Sequence, residues 1–81
     1  MISVLNQNGD TKLDITMYFK KKHTNTLWSI CTIDTARNEN YLARYSTKKQ
    51  CDEVFNSMLY WEQHLETQIY CFPKDDQDKY Q

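Results

Sequence analysis

The chain contains 81 residues, enough for one small domain, and its 40% hydrophobic and 26% charged residues are the balance of a soluble globular protein. Its single glycine and single proline exclude collagen-like, linker-like and proline-rich architectures, as well as the glycine-rich loops that bind phosphates or dinucleotides. The formal net charge of -1 argues against a uniformly basic nucleic-acid-binding protein and against a uniformly acidic mimic of DNA.

The first predicted elements are two strands joined by a tight turn. Residues 2–6 form a short apolar run, and Asn8-Gly9 after it predicts a type I′ hairpin turn, because both residues tolerate positive φ angles. Residues 12–20 then alternate between apolar and polar side chains, which predicts one long, half-buried strand. We expect its buried face to carry Leu13, Ile15, Met17 and Phe19.

Two further strands are predicted after the polar segment 21–25. Residues 26–33 are rich in β-branched and aromatic side chains and place apolar residues on both faces, a pattern typical of a central strand covered on both sides. Residues 40–45 alternate once more and predict the fourth strand.

One helix is predicted in the C-terminal half. Thr47 and Gln50 have the spacing of a capping box, in which the threonine hydroxyl accepts from an early backbone amide and the Gln50 side chain reaches back to the helix start. Apolar residues then recur at intervals of three and four and form one stripe: Cys51, Val54, Phe55, Met58, Leu59, Leu65 and Ile69. We expect the helix to run to about Gln68, with Phe55 buried in the middle of the stripe.

These elements predict an α+β fold. The simplest arrangement is an antiparallel sheet of about four strands, with one long C-terminal helix packed on one face. The single domain is expected to span residues 1–73, and residues 74–81 are expected to be a polar, frayed C-terminal tail.

The cysteine pattern favours the cytoplasm and no cofactor. The chain has an odd number of cysteines, Cys31, Cys51 and Cys71, and they form no Cys-x-x-Cys pair. The sequence also shows no secretory signal. We therefore expect reduced thiols that act as small apolar residues. Close pairs of metal ligands are absent from the sequence, and no metal site is predicted. The apolar runs are too short to cross a membrane, so no membrane partner is expected.

The sequence holds no catalytic motif. His23 falls in a predicted polar connection and His64 on the flank of the predicted helix, and neither has the spacing of a catalytic or metal-binding set. We therefore expect a protein that is not an enzyme.

Charge is distributed unevenly along the chain. Residues 1–49 hold eight basic and four acidic residues, a charge of +4, while residues 50–81 hold two basic and seven acidic residues, a charge of -5. Lys48 and Lys49 fall in the first turn of the helix, where cations oppose the helix dipole, although Asp52 and Glu53 could offset them locally. The hypothesis is that these lysines meet carboxylates or phosphates of a partner, together with a second basic run: Lys20, Lys21 and Lys22.

Exposed aromatic residues supply a second candidate surface. Tyr18 points away from the apolar face of its predicted strand, and Tyr60 and Trp61 cannot both lie on the helix stripe. Partly exposed tyrosines are frequent anchors of protein interfaces, so Tyr18 and Tyr60 join the lysines as predicted partner-binding residues.

The arrangement of elements resembles small accessory proteins carried by phages and prophages of low-GC bacteria. The resemblance rests on a short strand, the Asn8-Gly9 turn, further strands, and a helix start carrying Tyr45, Thr47 and Val54. The abundance of Asn, Lys, Tyr and Thr suits an AT-rich genome. The resemblance implies a protein without catalysis, and some members of this broad group, such as anti-CRISPR proteins, inhibit host defence enzymes by occupying a functional surface.

Three functional hypotheses follow. The first is a small phage-type protein that binds and inhibits or modulates a host protein in the host cytoplasm. The second is a nucleic-acid-binding module that uses the same lysines, and it differs from the first in a steep loss of affinity with salt. The third is a self-associating structural protein whose exposed aromatic residues form a homodimer.

Overall fold

The computed structural model describes residues 1–65 and 67–75. It confirms the α+β class and the single helix, and within these residues it contains six strands rather than the predicted four. The elements in chain order are β1 (Ile2–Leu5), β2 (Thr11–Ile15), β3 (Tyr18–Thr24), β4 (Leu27–Ile33), β5 (Glu39–Tyr45), α1 (Lys48–His64) and β6 (Tyr70–Cys71).

The strands form two three-stranded sheets, and the prediction of one four-stranded antiparallel sheet is therefore wrong. The first sheet has the order β2-β1-β6 and the second has the order β3-β4-β5. Antiparallel pairing joins every neighbouring pair except β1 and β6, which run parallel with Val4 opposite Tyr70.

The long strand predicted over residues 12–20 is divided between the two sheets. Thr16 and Met17 form the break, because the Met17 carbonyl accepts hydrogen bonds from the Thr32 hydroxyl at 2.7 Å and from the backbone amide of Ile33 at 3.3 Å. These bonds attach Met17 to β4, so the chain leaves the first sheet there and enters the second.

A bulge in β2 also disrupts the predicted alternation. Ile15 lies opposite Ile2 and Lys12 lies opposite Val4, so β2 has one residue more than β1 between these two pairs. Asp14 takes a positive φ of 53° at this point. Ile15 is buried as predicted, but Leu13 is 67% exposed and Met17 is 57% exposed, so the expected continuous apolar face does not exist.

The turn between β1 and β2 is wider than predicted. Gly9 has a φ of 90° but Asn8 has no positive φ, and a type I′ turn requires one at both positions. The Asn6 side chain organises the loop instead, because its carbonyl oxygen accepts from the backbone amides of Asn8 at 3.0 Å and Asp10 at 2.9 Å.

The central strand is β4, as the sequence predicted. Four successive residues from Ser29 to Thr32 are buried, so both faces of the strand are covered. The buried helix residues Cys51, Val54 and Met58 join the apolar core. Cys31 is buried as well, whereas Cys71 is exposed. Burial raises the pKa of the Cys51 thiol.

The helix begins where predicted and ends earlier. The Thr47 hydroxyl accepts from the backbone amide of Gln50 at 3.3 Å, which confirms the N-cap. The helix stops at His64, and the Trp61 indole donates to the Gln68 carbonyl at 3.0 Å, which ties the following turn to the last helical residues. The predicted continuation of the helix to Gln68 is therefore wrong. After this turn, Tyr70 pairs with β1 as part of β6.

Phe55 lies at the rim of the core and not at its centre. Its side chain is half-buried, whereas Met58, one turn later on the stripe, is fully buried. The stripe is therefore rotated relative to the prediction, with Cys51, Val54 and Met58 on its buried centre line.

The described part of the C-terminal segment packs on the domain. The Tyr45 hydroxyl donates to the Pro73 carbonyl at 2.7 Å, the Gln50 side chain donates to the Lys74 carbonyl at 3.1 Å, and the Ser46 hydroxyl donates to Asp75. Residues 76–81 of the predicted tail lie outside the described residues. No helix within residues 1–65 and 67–75 has the length and apolar character needed to cross a membrane.

Candidate partner-binding site

The alternation of β3 separates the three consecutive lysines onto opposite faces of the second sheet. Lys20 and Lys22 lie on the side that carries the helix, where Lys20 contacts Asp52 of α1. Lys21 points to the other side and forms an ion pair with Glu39 of β5 at 3.0 Å, which raises the pKa of the Lys21 ammonium. Lys21 is therefore separate from the other two lysines.

Asp52 bridges the strand and the helix. One of its carboxylate oxygens accepts from Lys20 Nζ at 3.0 Å and the other accepts from Lys48 Nζ at 2.7 Å. The spacing of four residues between Lys48 and Asp52 places both on one helix face. The hydrogen bonds from Lys48 and then Lys20 lower the pKa of Asp52 below its ordinary value of 3.8.

Lys22 lies beside the indole of Trp28. The two residues are opposite each other in the pairing of β3 with β4, and Lys22 Nζ is 5.8 Å from the centroid of the ring. Lys20 Nζ has a similar position over the Phe55 ring, at 5.1 Å. Each of these ammonium groups therefore lies over an aromatic surface.

These side chains enclose a shallow cavity of about 300 Å³. Its lining consists of Lys20, Lys22, Trp28, Lys48 and Asp52, and we call this set the basic corner. Three ammonium groups face one carboxylate, so the basic corner has an excess of two positive charges around an indole ring. This combination attracts an anionic group that carries an apolar neighbour.

Tyr18 is half-buried and packs against the core next to the basic corner. Its ring packs edge-on against Phe55 with centroids 5.6 Å apart, and its hydroxyl donates to Glu62 at 2.8 Å. Burial, reinforced by Glu62, raises the pKa of the Tyr18 phenol above its ordinary value of 10.0. Tyr18 thus holds Phe55 in place beneath Lys20.

The other two predicted residues lie outside the cavity. Lys49 is exposed in the first turn of α1, next to Lys48 in sequence but not in the lining of the basic corner. Tyr60 lies near the other end of the helix, is 60% exposed, and packs against the His64 ring at a centroid distance of 4.4 Å. The structure therefore brings together Lys20, Lys22 and Lys48 from the predicted set.

Two members of the basic corner were missed as binding residues. Trp28 lies in the strand predicted over residues 26–33, but its position beside Lys22 depends on the register between β3 and β4, which alternation alone does not specify. Asp52 was considered only as a local offset for the helix lysines, because its contact with Lys20 spans 32 residues of sequence. The contact between a lysine and a tryptophan on paired strands can be predicted from a sequence only when the register of the two strands is known.

Other cavities in the structure gather charges of mixed sign. One of about 560 Å³ beside Met17 and Ile33 is lined by Asp34, Arg37 and Glu39, whose charges oppose one another. Another of about 380 Å³ lies between β2 and β5 and contains Asp10, Lys12 and Arg44. Neither has the excess of two positive charges that the basic corner has.

One contact has the form of a nucleophile and a base but is closed to substrates. The Ser29 hydroxyl lies 2.8 Å from His23 Nε2, a distance that suits proton transfer. Ser29 is fully buried, so a substrate has no route to its oxygen. Within residues 1–65 and 67–75, no three His, Cys, Asp or Glu side chains are arranged to hold a metal ion.

No protein-family model, no curated protein and no solved structure matches this chain. The functional argument therefore rests on the geometry of the basic corner.

Proposed function

We propose that this chain is a small, non-enzymatic binding protein that attaches to an acidic surface of a partner protein through the basic corner. The observation that carries the proposal is the convergence of Lys20, Lys22 and Lys48, which come from two separate elements, around one shallow cavity that Trp28 also lines. Asp52 accounts for the positions of Lys20 and Lys48, but a solubilising role alone does not explain why Lys22, which has no acidic partner among residues 1–65 and 67–75, joins them beside Trp28.

A protein partner suits this geometry better than a nucleic acid. Nucleic acids bind along extended basic tracks that neutralise several phosphates, whereas the basic corner is one compact group that already contains a carboxylate. The chain as a whole carries a net charge of -1, and its C-terminal part is acidic, which repels a long polyanion.

The biological role that we propose comes from the resemblance to small phage and prophage proteins. In this proposal the partner is a bacterial host protein, and the chain inhibits or modulates it in the host cytoplasm by covering a functional surface, as anti-CRISPR proteins do. A second role, self-association, would use exposed aromatic residues such as Tyr60 instead.

The experiment begins with capture of a partner from host lysate by the wild-type protein. Binding kinetics are then compared with those of the double variant Lys48→Glu, Lys49→Glu. Because charges at the rim of an interface act mainly on encounter, we expect a lower association rate, with a difference that shrinks as salt rises. The fold should remain intact, because the exposed Lys48–Asp52 ion pair contributes little to stability and anions are favourable at a helix N-terminus.

A matched control reverses two lysines outside the basic corner. Lys12→Glu with Lys21→Glu changes the net charge equally, but Lys12 lies on β2 and Lys21 on the opposite face of the second sheet. We expect this control to bind like the wild type, apart from a small general charge effect. Unchanged kinetics for the Lys48 and Lys49 variant would show that the lysines only solvate the helix end. Capture of nucleic acid with a steep salt dependence would favour the second hypothesis.

A further inference from the structure

The basic corner contains both an occupied and an open position for an anion. Lys20 and Lys48 hold the Asp52 carboxylate, while Lys22 has no acidic partner among residues 1–65 and 67–75 and rests beside Trp28. We propose that Asp52 occupies the place of a partner carboxylate, and that the preferred ligand is an acidic peptide with an aromatic or aliphatic side chain beside its carboxylates. This inference rests on the proposed function and specifies the ligand of the same site.

The geometry of Asp52 is that of a bound carboxylate ligand. Each of its two oxygens accepts from a different ammonium group, one on a strand and one on the helix, at 3.0 and 2.7 Å. The Lys48 side chain is 70% exposed and long enough to turn toward an incoming carboxylate without any movement of the backbone.

Lys22 and Trp28 provide the first contact for an incoming peptide. The Lys22 ammonium can bind a ligand carboxylate directly, because no acidic side chain among the described residues is paired with it. The Trp28 ring, which lines the same cavity of about 300 Å³, offers an apolar surface to the next side chain of the peptide. A second carboxylate then competes with Asp52 for Lys20 and Lys48.

Competition by Asp52 sets the affinity in this scheme. A ligand carboxylate must displace Asp52 or share two lysines with it, and either cost disappears when residue 52 is neutral. Asp52→Asn keeps the size of the side chain and removes its charge, so it should bind acidic peptides more tightly than the wild type does.

The test uses a fluorescent ten-residue peptide in which four glutamates surround one phenylalanine. Fluorescence anisotropy at low salt gives its affinity for the intact chain and its variants. We expect Asp52→Asn to bind about five-fold to ten-fold more tightly and Lys22→Gln to bind several-fold more weakly. The Lys22 variant leaves the Asp52 contacts intact, so it tests the site even if Asp52→Asn fails to fold.

Neighbouring residues supply matched controls. Glu53→Gln makes the same change in net charge one position along the helix, and Lys21→Gln removes an adjacent lysine on the other face of the sheet. We expect both to leave peptide affinity within about two-fold of the wild type. Trp28 reports directly on occupancy, because in a Trp61→Phe background it is the only tryptophan, and its emission should change during the titration.

Several results would overturn the inference. An equal gain from Glu53→Gln would reduce the Asp52 effect to general charge, and an unchanged affinity in Asp52→Asn would show that Asp52 does not compete. The inference would also be overturned if neither the wild type nor Asp52→Asn bound the peptide. Stronger binding of a ten-nucleotide oligothymidylate than of the peptide would assign the site to phosphates. If the double variant Lys48→Glu, Lys49→Glu nevertheless binds the captured partner more weakly than the wild type, the proposed function stands without this inference.

Discussion

At the residue scale, Thr47 shows how one hydroxyl fixes the start of the helix. Because its oxygen accepts from the backbone amide of Gln50, replacing it leaves a helix-start donor without a protein partner. We expect Thr47→Ala to lower the free energy of unfolding by about 1 kcal/mol, and Thr47→Asp to restore it. Urea unfolding of the three proteins measures this, and identical transitions would mean that the cap contributes nothing.

The residue scale also separates the true centre of the core from its rim. Met58 is fully buried, whereas Phe55 is half-buried beneath Lys20. We expect Met58→Ala to cost about 2–5 kcal/mol, enough to unfold much of so small a domain, and Phe55→Ala to cost less despite the larger side chain removed. A greater loss of thermal stability in the Phe55 variant would place the core elsewhere.

At the element scale, the edge position of β3 offers a structural reason for its lysines. Edge strands expose unpaired backbone groups, and lysines on such strands discourage pairing with other chains. This role explains Lys21, which faces away from the helix, but it does not require Lys20 and Lys22 to meet Lys48. The Asp52 carboxylate accounts for the meeting of Lys20 with Lys48, but the position of Lys22 beside Trp28 needs a separate explanation.

The link between β3 and α1 should depend on pH. The pKa of Asp52 is lowered in the folded chain, mainly by Lys48, so its stabilising contribution is present above the unfolded pKa and disappears as pH falls through the folded pKa. We expect Asp52→Asn to lower the melting temperature slightly at about pH 6 and to have a smaller effect at about pH 2. A difference of equal size at both pH values would contradict an ionic origin.

The sequence predicted the elements governed by local patterns and missed those governed by pairing. The N-cap at Thr47 and the buried β4 each follow from a few neighbouring residues. The break at Met17 depends on bonds to β4, the bulge at Asp14 depends on β1, and the short strand at Tyr70 depends on a partner 66 positions earlier. Alternation alone carries no information about these partners, so residues 12–20 appeared as one strand.

At the scale of the whole molecule, the candidate site also combines residues that local sequence patterns indicate with residues that only the packing of the elements brings in. Helix polarity indicated Lys48 and Lys49, because cations at a helix start are unfavourable, and the basic run indicated Lys20, Lys21 and Lys22. Of these five lysines, Lys20, Lys22 and Lys48 line the basic corner. Trp28 and Asp52 could not be added, since their places depend on how the sheet and the helix pack together. Tyr60 was singled out by exposure alone, and it lies at the other end of the helix from the basic corner.

The most direct test of the central claim is a map of the partner-binding surface by NMR. The isotope-labelled chain is titrated with the captured partner or its minimal acidic segment, and the shifts of backbone amides and of the two indole N–H groups are followed. We predict the largest changes at Lys20, Lys22, Lys48 and the Trp28 indole, with little change at the Trp61 indole. Changes centred instead on Tyr60 and His64, with the Trp28 indole unaffected, would contradict the assignment of the basic corner as the binding site.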